Sequence, residues 1–245
     1  LLITPLVLAL GLRATLVPLL PVFLVAAFLS TQLGRLAALR PAGHGGSAAA
    51  AAVDRWGPFG RLAVVVMSRS VVYTGLSSFL PLFFAGVLGR TRAEGATALS
   101  ILLGTGVVGT LTGGRLADRF GRRPVILASM AALAPLLFAL ASARDPRVAT
   151  ALLVPVSLAL YIPFSVLVVM GQEYLPNHVG TASGVTVGLA VTAGGLAAPL
   201  LGLVADRWGV AGPLFVVSAL PLLAVALALT LPDSREAGEP EAAAA

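Results

Sequence analysis

Seven stretches of about 20 or more predominantly apolar residues follow one another along this chain, at 14–33, 62–88, 96–116, 124–143, 148–171, 180–205 and 210–231. Each is long enough for a helix to cross the hydrocarbon core of a bilayer. Residues 1–12 read as an eighth, partial stretch. The strands of an outer-membrane barrel are about half as long and alternate apolar with polar residues, so run length excludes a barrel. A soluble fold is excluded by quantity: 58% of the residues are hydrophobic and 11% charged, with mean hydropathy +0.99. One or two soluble domains of this size cannot cover that much apolar surface with a polar exterior. The runs are also dense in glycine and proline, which membrane helices tolerate because small residues allow close contact and neighbouring helices satisfy freed backbone groups. The chain reads as an all-α membrane protein with about seven full spans plus a partial one.

The longest polar interruption, residues 34–61, is rich in Gly, Ala and Arg and reads as a linker between two helical groups, 1–33 and 62–231. Residues 232–245 are acidic and poor in apolar side chains, the composition of a disordered tail. All 16 basic residues are arginines spread over inter-span loops rather than gathered on one face, which speaks against a nucleic-acid partner. They suit topology signals better. If spans alternate in direction, Arg35, Arg40, Arg55, Arg61, Arg115, Arg119, Arg122, Arg123 and Arg235 share one side, against Arg13, Arg90, Arg92, Arg144, Arg147 and Arg207 on the other. The excess places the linker and the C-terminus on the cytoplasmic side of the plasma membrane. Cysteine is absent, so there is neither a disulfide framework nor a thiolate metal site. The chain opens inside an apolar run, Leu1-Leu2-Ile3-Thr4-Pro5, without the basic region and cleavage pattern of a leader, as if entered in mid-helix.

Between the spans at 96–116 and 124–143 lies Gly113-Gly114-Arg115-Leu116-Ala117-Asp118-Arg119-Phe120-Gly121-Arg122-Arg123-Pro124. Gly114 and Gly121 permit close approach and a sharp turn. Asp118 sits where it can accept from a helix N-terminus or from an arginine, and Arg119, Arg122 and Arg123 supply partners. The loop is either an ion-pair latch or a plain positive-inside anchor. A related turn, Gly202-Leu203-Val204-Ala205-Asp206-Arg207-Trp208-Gly209, closes the span at 180–205, where Asp206 and Arg207 form a second ion-pair turn or cap the helix.

The first of these segments resembles the signature of the major facilitator superfamily, G-x-L-A-D-R-x-G-R-[KR], which that family carries on the short loop after its second and again after its eighth helix. A second segment, Met170-Gly171-Gln172-Glu173-Tyr174-Leu175-Pro176-Asn177-His178-Val179-Gly180, followed by Thr181-Ala182-Ser183-Gly184, Gly188, Gly194-Gly195-Leu196 and Ala205-Asp206, is similar to the fosmidomycin-resistance branch, as is the ending Leu231-Pro232-Asp233-Ser234-Arg235. The chain departs from that branch at Thr4 and at Asn177-His178. The resemblance runs from within the family's fifth helix through its twelfth. It implies a truncated major facilitator-type bundle, with residues 1–33 as partial fifth and sixth helices and 62–231 as the six-helix C-terminal bundle. An echo of Thr4-Pro5-Leu6 and Pro18 in Ala198-Pro199-Leu200 and Pro213 fits halves built as repeats, and leads one to expect four further helices ahead of residue 1 as a structural partner.

The resemblance implies a secondary active transporter, with protons as coupling ion and efflux of a small drug-like or anionic compound. Arg69, eight residues into a span, carries a charge that is costly in the membrane unless it faces a cavity or a partner. By resemblance it acts on an anionic substrate, and the bland reading is snorkelling to the interface. Glu173, beside Gln172, is either a protonatable carboxylate in coupling or a structural acceptor for the arginine-rich loops. Tyr73, Ser77, Ser78 and Tyr161 are cavity candidates by type, and His178 reads as a solvated loop histidine. No phosphate-cradling loop, metal-ligand cluster or nucleophile–base pair is legible, so neither a cofactor nor enzyme chemistry is expected. Two other readings stay open: a carrier of another metabolite or sugar, and a non-transporting fragment or assembly subunit.

Overall fold

In the computed structural model, residues 53–232 and Thr31 are described. The span at 14–33 apart from Thr31, residues 1–12, the repeat echo in them, the linker up to residue 52 and the tail beyond residue 232 lie outside the described residues. Contacts divide the chain into two units, Leu1–Ala52 and Val53–Ala245, and residues 53–232 belong to the second.

Within it, lipid as solvent requires each span to satisfy its own backbone, and every apolar run is a helix. They are α1 (Trp56–Gly86), α2 (Arg92–Phe120), α3 (Arg122–Ser142), α4 (Pro146–Tyr174), a broken span made of α5 (Val179–Ser183), a π-helical turn (Gly184–Leu189) and α6 (Ala190–Trp208), and finally α7 (Gly212–Ala228). Five of these spans, counting Pro176–Trp208 as one, are long and apolar enough to cross a membrane, and α7 is a shorter apolar helix. The broken span departs from the continuous run expected at 180–205. Likewise α1 begins at Trp56, inside the stretch read as linker.

Connections are short, so successive spans reverse direction. A single residue, Gly121, joins α2 to α3; its φ of 92° is a conformation only glycine adopts cheaply. Gly209, with φ of 75°, does the same after α6. The two Asp-Arg-aromatic-Gly segments are therefore one device used twice, each ending a long helix in a positive-φ glycine. Elsewhere the caps are side chains. Thr91 accepts from the Glu94 N–H at 3.2 Å while the Thr91 N–H donates to the Glu94 carboxylate at 2.8 Å, and Asp145 accepts from the Arg147 N–H at 2.8 Å ahead of Pro146.

The most extensive helix contact is α2 on α4. It is a seam of glycines one or two turns apart. A Cβ on Gly106 would fall on the Tyr161 ring, one on Gly109 would lie 3.1 Å from Cβ of Tyr161, and one on Gly113 would overlap the Ile162 carbonyl oxygen. Backbone thus meets backbone, as small residues allow in membrane bundles. Gly114, the glycine that the signature singles out for close approach, has open space around it among the described residues; Gly113 is the one in contact. Leu76, Leu80, Phe83, Leu102, Met130, Leu137, Leu153 and Leu160 fill the interior. Leu103, Val107 and Leu111 on α2 and Val191, Leu196, Leu200 and Leu203 on α6 are exposed, an apolar exterior that suits a lipid-embedded bundle.

Gly113→Ala should lower stability by about 1–3 kcal/mol, the usual cost of overpacking a close contact. Gly114→Ala should leave it unchanged or raise it slightly, because alanine is the better helix former. Thermal unfolding of both variants in detergent checks the difference.

Candidate functional site

Arg69 lies thirteen residues after the start of α1 at Trp56, roughly 20 Å along the helix axis, too deep for its side chain simply to reach the near interface. It is 7% exposed. Its guanidinium stacks over the Phe164 ring, 4.8 Å from the centroid, and its Nε has no hydrogen-bond partner. No carboxylate pairs with it among the described residues; the acidic groups there, Asp54, Glu94, Asp118, Asp145, Glu173 and Asp206, all lie within about a turn of a helix end or in a loop. A guanidinium stays charged under all ordinary conditions, so a buried one with an idle donor is a strong anion-seeking group.

Arg69 opens into a cavity of about 260 Å³ lined also by Ser70, Tyr73, Thr110, Tyr161, Phe164, Thr186 and Val187. Tyr73, one turn beyond Arg69, meets the Tyr161 ring edge-on with centroids 6.2 Å apart. The small hydroxyls are already occupied: Ser70 donates to the Ala190 carbonyl at 2.5 Å and Thr186 to the Ala182 carbonyl at 2.8 Å. The first bond ties α1 to the start of α6, the second joins the π-helical turn to α5, and the turn carries Thr186 and Val187 into the cavity wall. Single π turns inside helices recur at functional sites. Of the sequence candidates, Arg69, Tyr73 and Tyr161 are brought together, whereas Ser77 and Ser78 line no part of this wall. Phe164, Thr110 and Thr186 escaped the sequence reading, since apolar or hydroxyl residues within apolar runs carry no positional signal; the π turn had only its glycines, Gly184 and Gly188, as a cue.

Apart from Asp206 and Arg207, the other candidates gather at the end of the bundle where α1 begins, outside the wall of the Arg69 cavity. Glu173, in the last turn of α4, forms an ion pair with Arg122 at the start of α3. This favours the structural-acceptor reading of Glu173 over a coupling carboxylate. Its neighbour Gln172 donates to the Ser183 hydroxyl at 2.9 Å, bridging α4 to α5. Arg123 donates to the Leu229 carbonyl, Arg61 to the Thr230 carbonyl at 2.6 Å, and the Tyr174 hydroxyl to the Pro232 carbonyl at 2.9 Å. Arginines from α1 and α3 thereby satisfy carbonyls that the end of α7 leaves without intrahelical partners. Asp118 and Arg119 occupy the last turn of α2, with the Arg119 guanidinium over Phe120 at 5.3 Å. Asp206 and Arg207 occupy the last turn of α6 at the opposite end.

His178 is not merely solvated. Its Nδ1 lies 2.7 Å from a carboxylate oxygen of Asp54, whose other oxygen accepts from the Asn177 N–H at 3.1 Å. The Trp56 ring packs at 5.6 Å from the imidazole, and the Arg55 N–H donates to the Tyr174 carbonyl at 2.7 Å. The residues just ahead of α1 are thus tied to the turn after α4. Partial burial pushes the Asp54 carboxyl upward, but the Asn177 N–H and the His178 ring outweigh it and hold the group below its ordinary value of 3.8.

The family model of the Major Facilitator Superfamily matches the chain in two overlapping placements, residues 1–199 and 62–245. An uncharacterised MFS-type transporter of Bacillus subtilis (strain 168), YfnC, is 42% identical over 134 residues, 55% of this chain and 32% of that protein. The fosmidomycin resistance protein of Escherichia coli (strain K12) is 31% identical over 176 residues, 71% of this chain and 42% of that protein. The chain thus matches less than half the length of either relative. The crystal structure of the major facilitator transporter FucP in its outward conformation shares the fold, with TM-score 0.73 over 95% of this chain and 58% of that one, at 18% identity.

The Asp54 tie has a definite pH dependence. A carboxyl whose pKa falls on folding stabilises the fold above its unfolded pKa, about 4, and loses that contribution as pH drops through the folded value. Thermal unfolding in detergent should therefore show the parent losing more stability than Asp54→Asn between pH 6 and pH 3, with the variant the less stable of the two at pH 6.

Proposed function

The chain belongs to the major facilitator superfamily, and from that premise we propose that it forms part of a secondary active transporter whose cargo site is the Arg69 cavity. The observation that carries this is the guanidinium itself: buried at mid-span, stacked on Phe164, with an unpaired Nε, on a residue that lines an otherwise uncharged cavity. A charge held in that position is costly unless something offsets it, and an anionic cargo does so on binding. Tyr73, Tyr161 and Phe164 provide aromatic surface for its apolar part. Export of a small anionic, drug-like compound of the fosmidomycin type is supported by the relative of that name, 31% identical over 176 residues, and by the segment from Gln172 to Gly184. A carrier of another small anionic metabolite uses the same site, and cargo selection separates the two.

In this reading the ties among Arg122, Glu173, Arg123, Arg61 and the end of α7 latch one end of the bundle during alternating access, and the arginine excess makes that end cytoplasmic. Among the described residues the carboxylates lie near helix ends rather than in this cavity, and Glu173, the coupling candidate among them, is paired with Arg122.

Arg69→Ala in the whole transporter should reduce efflux of labelled fosmidomycin at least about tenfold, the worth of one hydrogen bond to a charged group, with membrane abundance intact. Unchanged efflux at equal abundance removes Arg69 from the cargo site.

A further inference from the structure

Tyr161 forms part of the wall of the Arg69 cavity beside Thr110 of α2, and one turn before Thr110, against the Tyr161 ring, stands a residue with no side chain. A Cβ on Gly106 would lie 2.6 Å from both Cδ2 and Cε2 of Tyr161 and 2.9 Å from its Cγ, well inside contact distance. Helix α4 is not free to withdraw. At Gly109 a Cβ would already be 3.1 Å from the Tyr161 Cβ and 3.5 Å from the Leu158 Cα, and at Gly113 the Ile162 carbonyl lies against the α2 backbone. A side chain at position 106 therefore displaces the Tyr161 ring, which meets Tyr73 on its other contact and forms part of the cavity wall. With about 260 Å³ available, just below the usual range of ligand pockets, a displaced ring removes room that an apolar substituent needs.

We propose that Gly106 is a specificity-determining residue of this cavity: by letting Tyr161 lie back against α2, it sets the size of the apolar body that an anion held by Arg69 can carry. The inference rests on the reading of Arg69 as an anion site, which the buried, unpartnered Nε supports independently of any glycine. A glycine serving helix packing alone behaves differently. Its replacement costs stability without changing the relative affinity for large and small anions, as expected at Gly113, seven residues further along the seam and outside the cavity wall.

The test uses the whole transporter in proteoliposomes, with methylphosphonate and phenylphosphonate competing against transport of labelled fosmidomycin. The two competitors share a headgroup and differ in body. In Gly106→Ala, inhibition by phenylphosphonate should weaken about tenfold or more, in the range of misfitting a hydrophobic pocket, while methylphosphonate stays within about twofold. Tyr161→Ala should shift the ratio toward phenylphosphonate, and adding Gly106→Ala to it should change the ratio no further, since the ring the new Cβ strikes is gone. This pair keeps the test decisive if Gly106→Ala alone does not fold. An unchanged ratio in folded Gly106→Ala, an equal change in Gly113→Ala, or a ratio unmoved by Tyr161→Ala overturns the role of Gly106. If inhibition by both phosphonates in the parent is the same as in Arg69→Ala, the anion-site reading fails, and the inference with it.

Discussion

The contact of α2 with α4 is the one on which the rest of this bundle depends. Two helices in lipid gain little from the hydrophobic effect, because lipid tails are as apolar as their own side chains, and dispersion at close range must supply the attraction. Gly106, Gly109 and Gly113 make that range possible. The same contact fixes where α4 carries Tyr161 and Phe164, and so where the aromatic walls stand around Arg69. At its far end α2 delivers Asp118 and Arg119 to the one-residue turn at Gly121, from which Arg122 and Arg123 reach α4 and α7. Packing, cavity and end ties share one helix pair.

Charge placement follows the opposite logic. Desolvation drives ionised groups to the span ends, and every acidic residue of the described bundle obeys. Surface ion pairs there are individually weak. The ties at the linker end work as a set because several of them satisfy carbonyls that a helix terminus leaves without intrahelical partners. Arg69 breaks the rule at mid-span, and a violated rule in an otherwise consistent sequence is where function concentrates.

Much of this was legible in the residues. Run length alone located the six described spans to within a few residues, apart from the start of α1 at Trp56, and the Asp-Arg-Phe-Gly segment announced a tight reversal that Gly121 makes with a φ of 92°. Arg69 stood out because charge inside an apolar run is rare. Partnership was another matter. Which arginine would meet Glu173 was not legible because its partner Arg122 is 51 positions away, and His178 looked solvated because Asp54 is 124 positions away. The broken span was equally hidden, since a π turn keeps the apolar composition of the helix around it.

The sequence by itself determined that this protein is a bundle of membrane-spanning helices, which segments span, where they reverse and which single side chain carries charge into the interior. These follow from transfer costs and backbone conformations that each residue imposes locally. Only the tertiary structure decided which glycine is a contact and which is open, that Glu173 closes a helix end, and that Tyr73, Tyr161 and Phe164 enclose Arg69. Such relations depend on rotation and depth of one helix against another, and no residue encodes them alone: they emerge when backbones meet at Gly113 and a ring finds its space at Gly106.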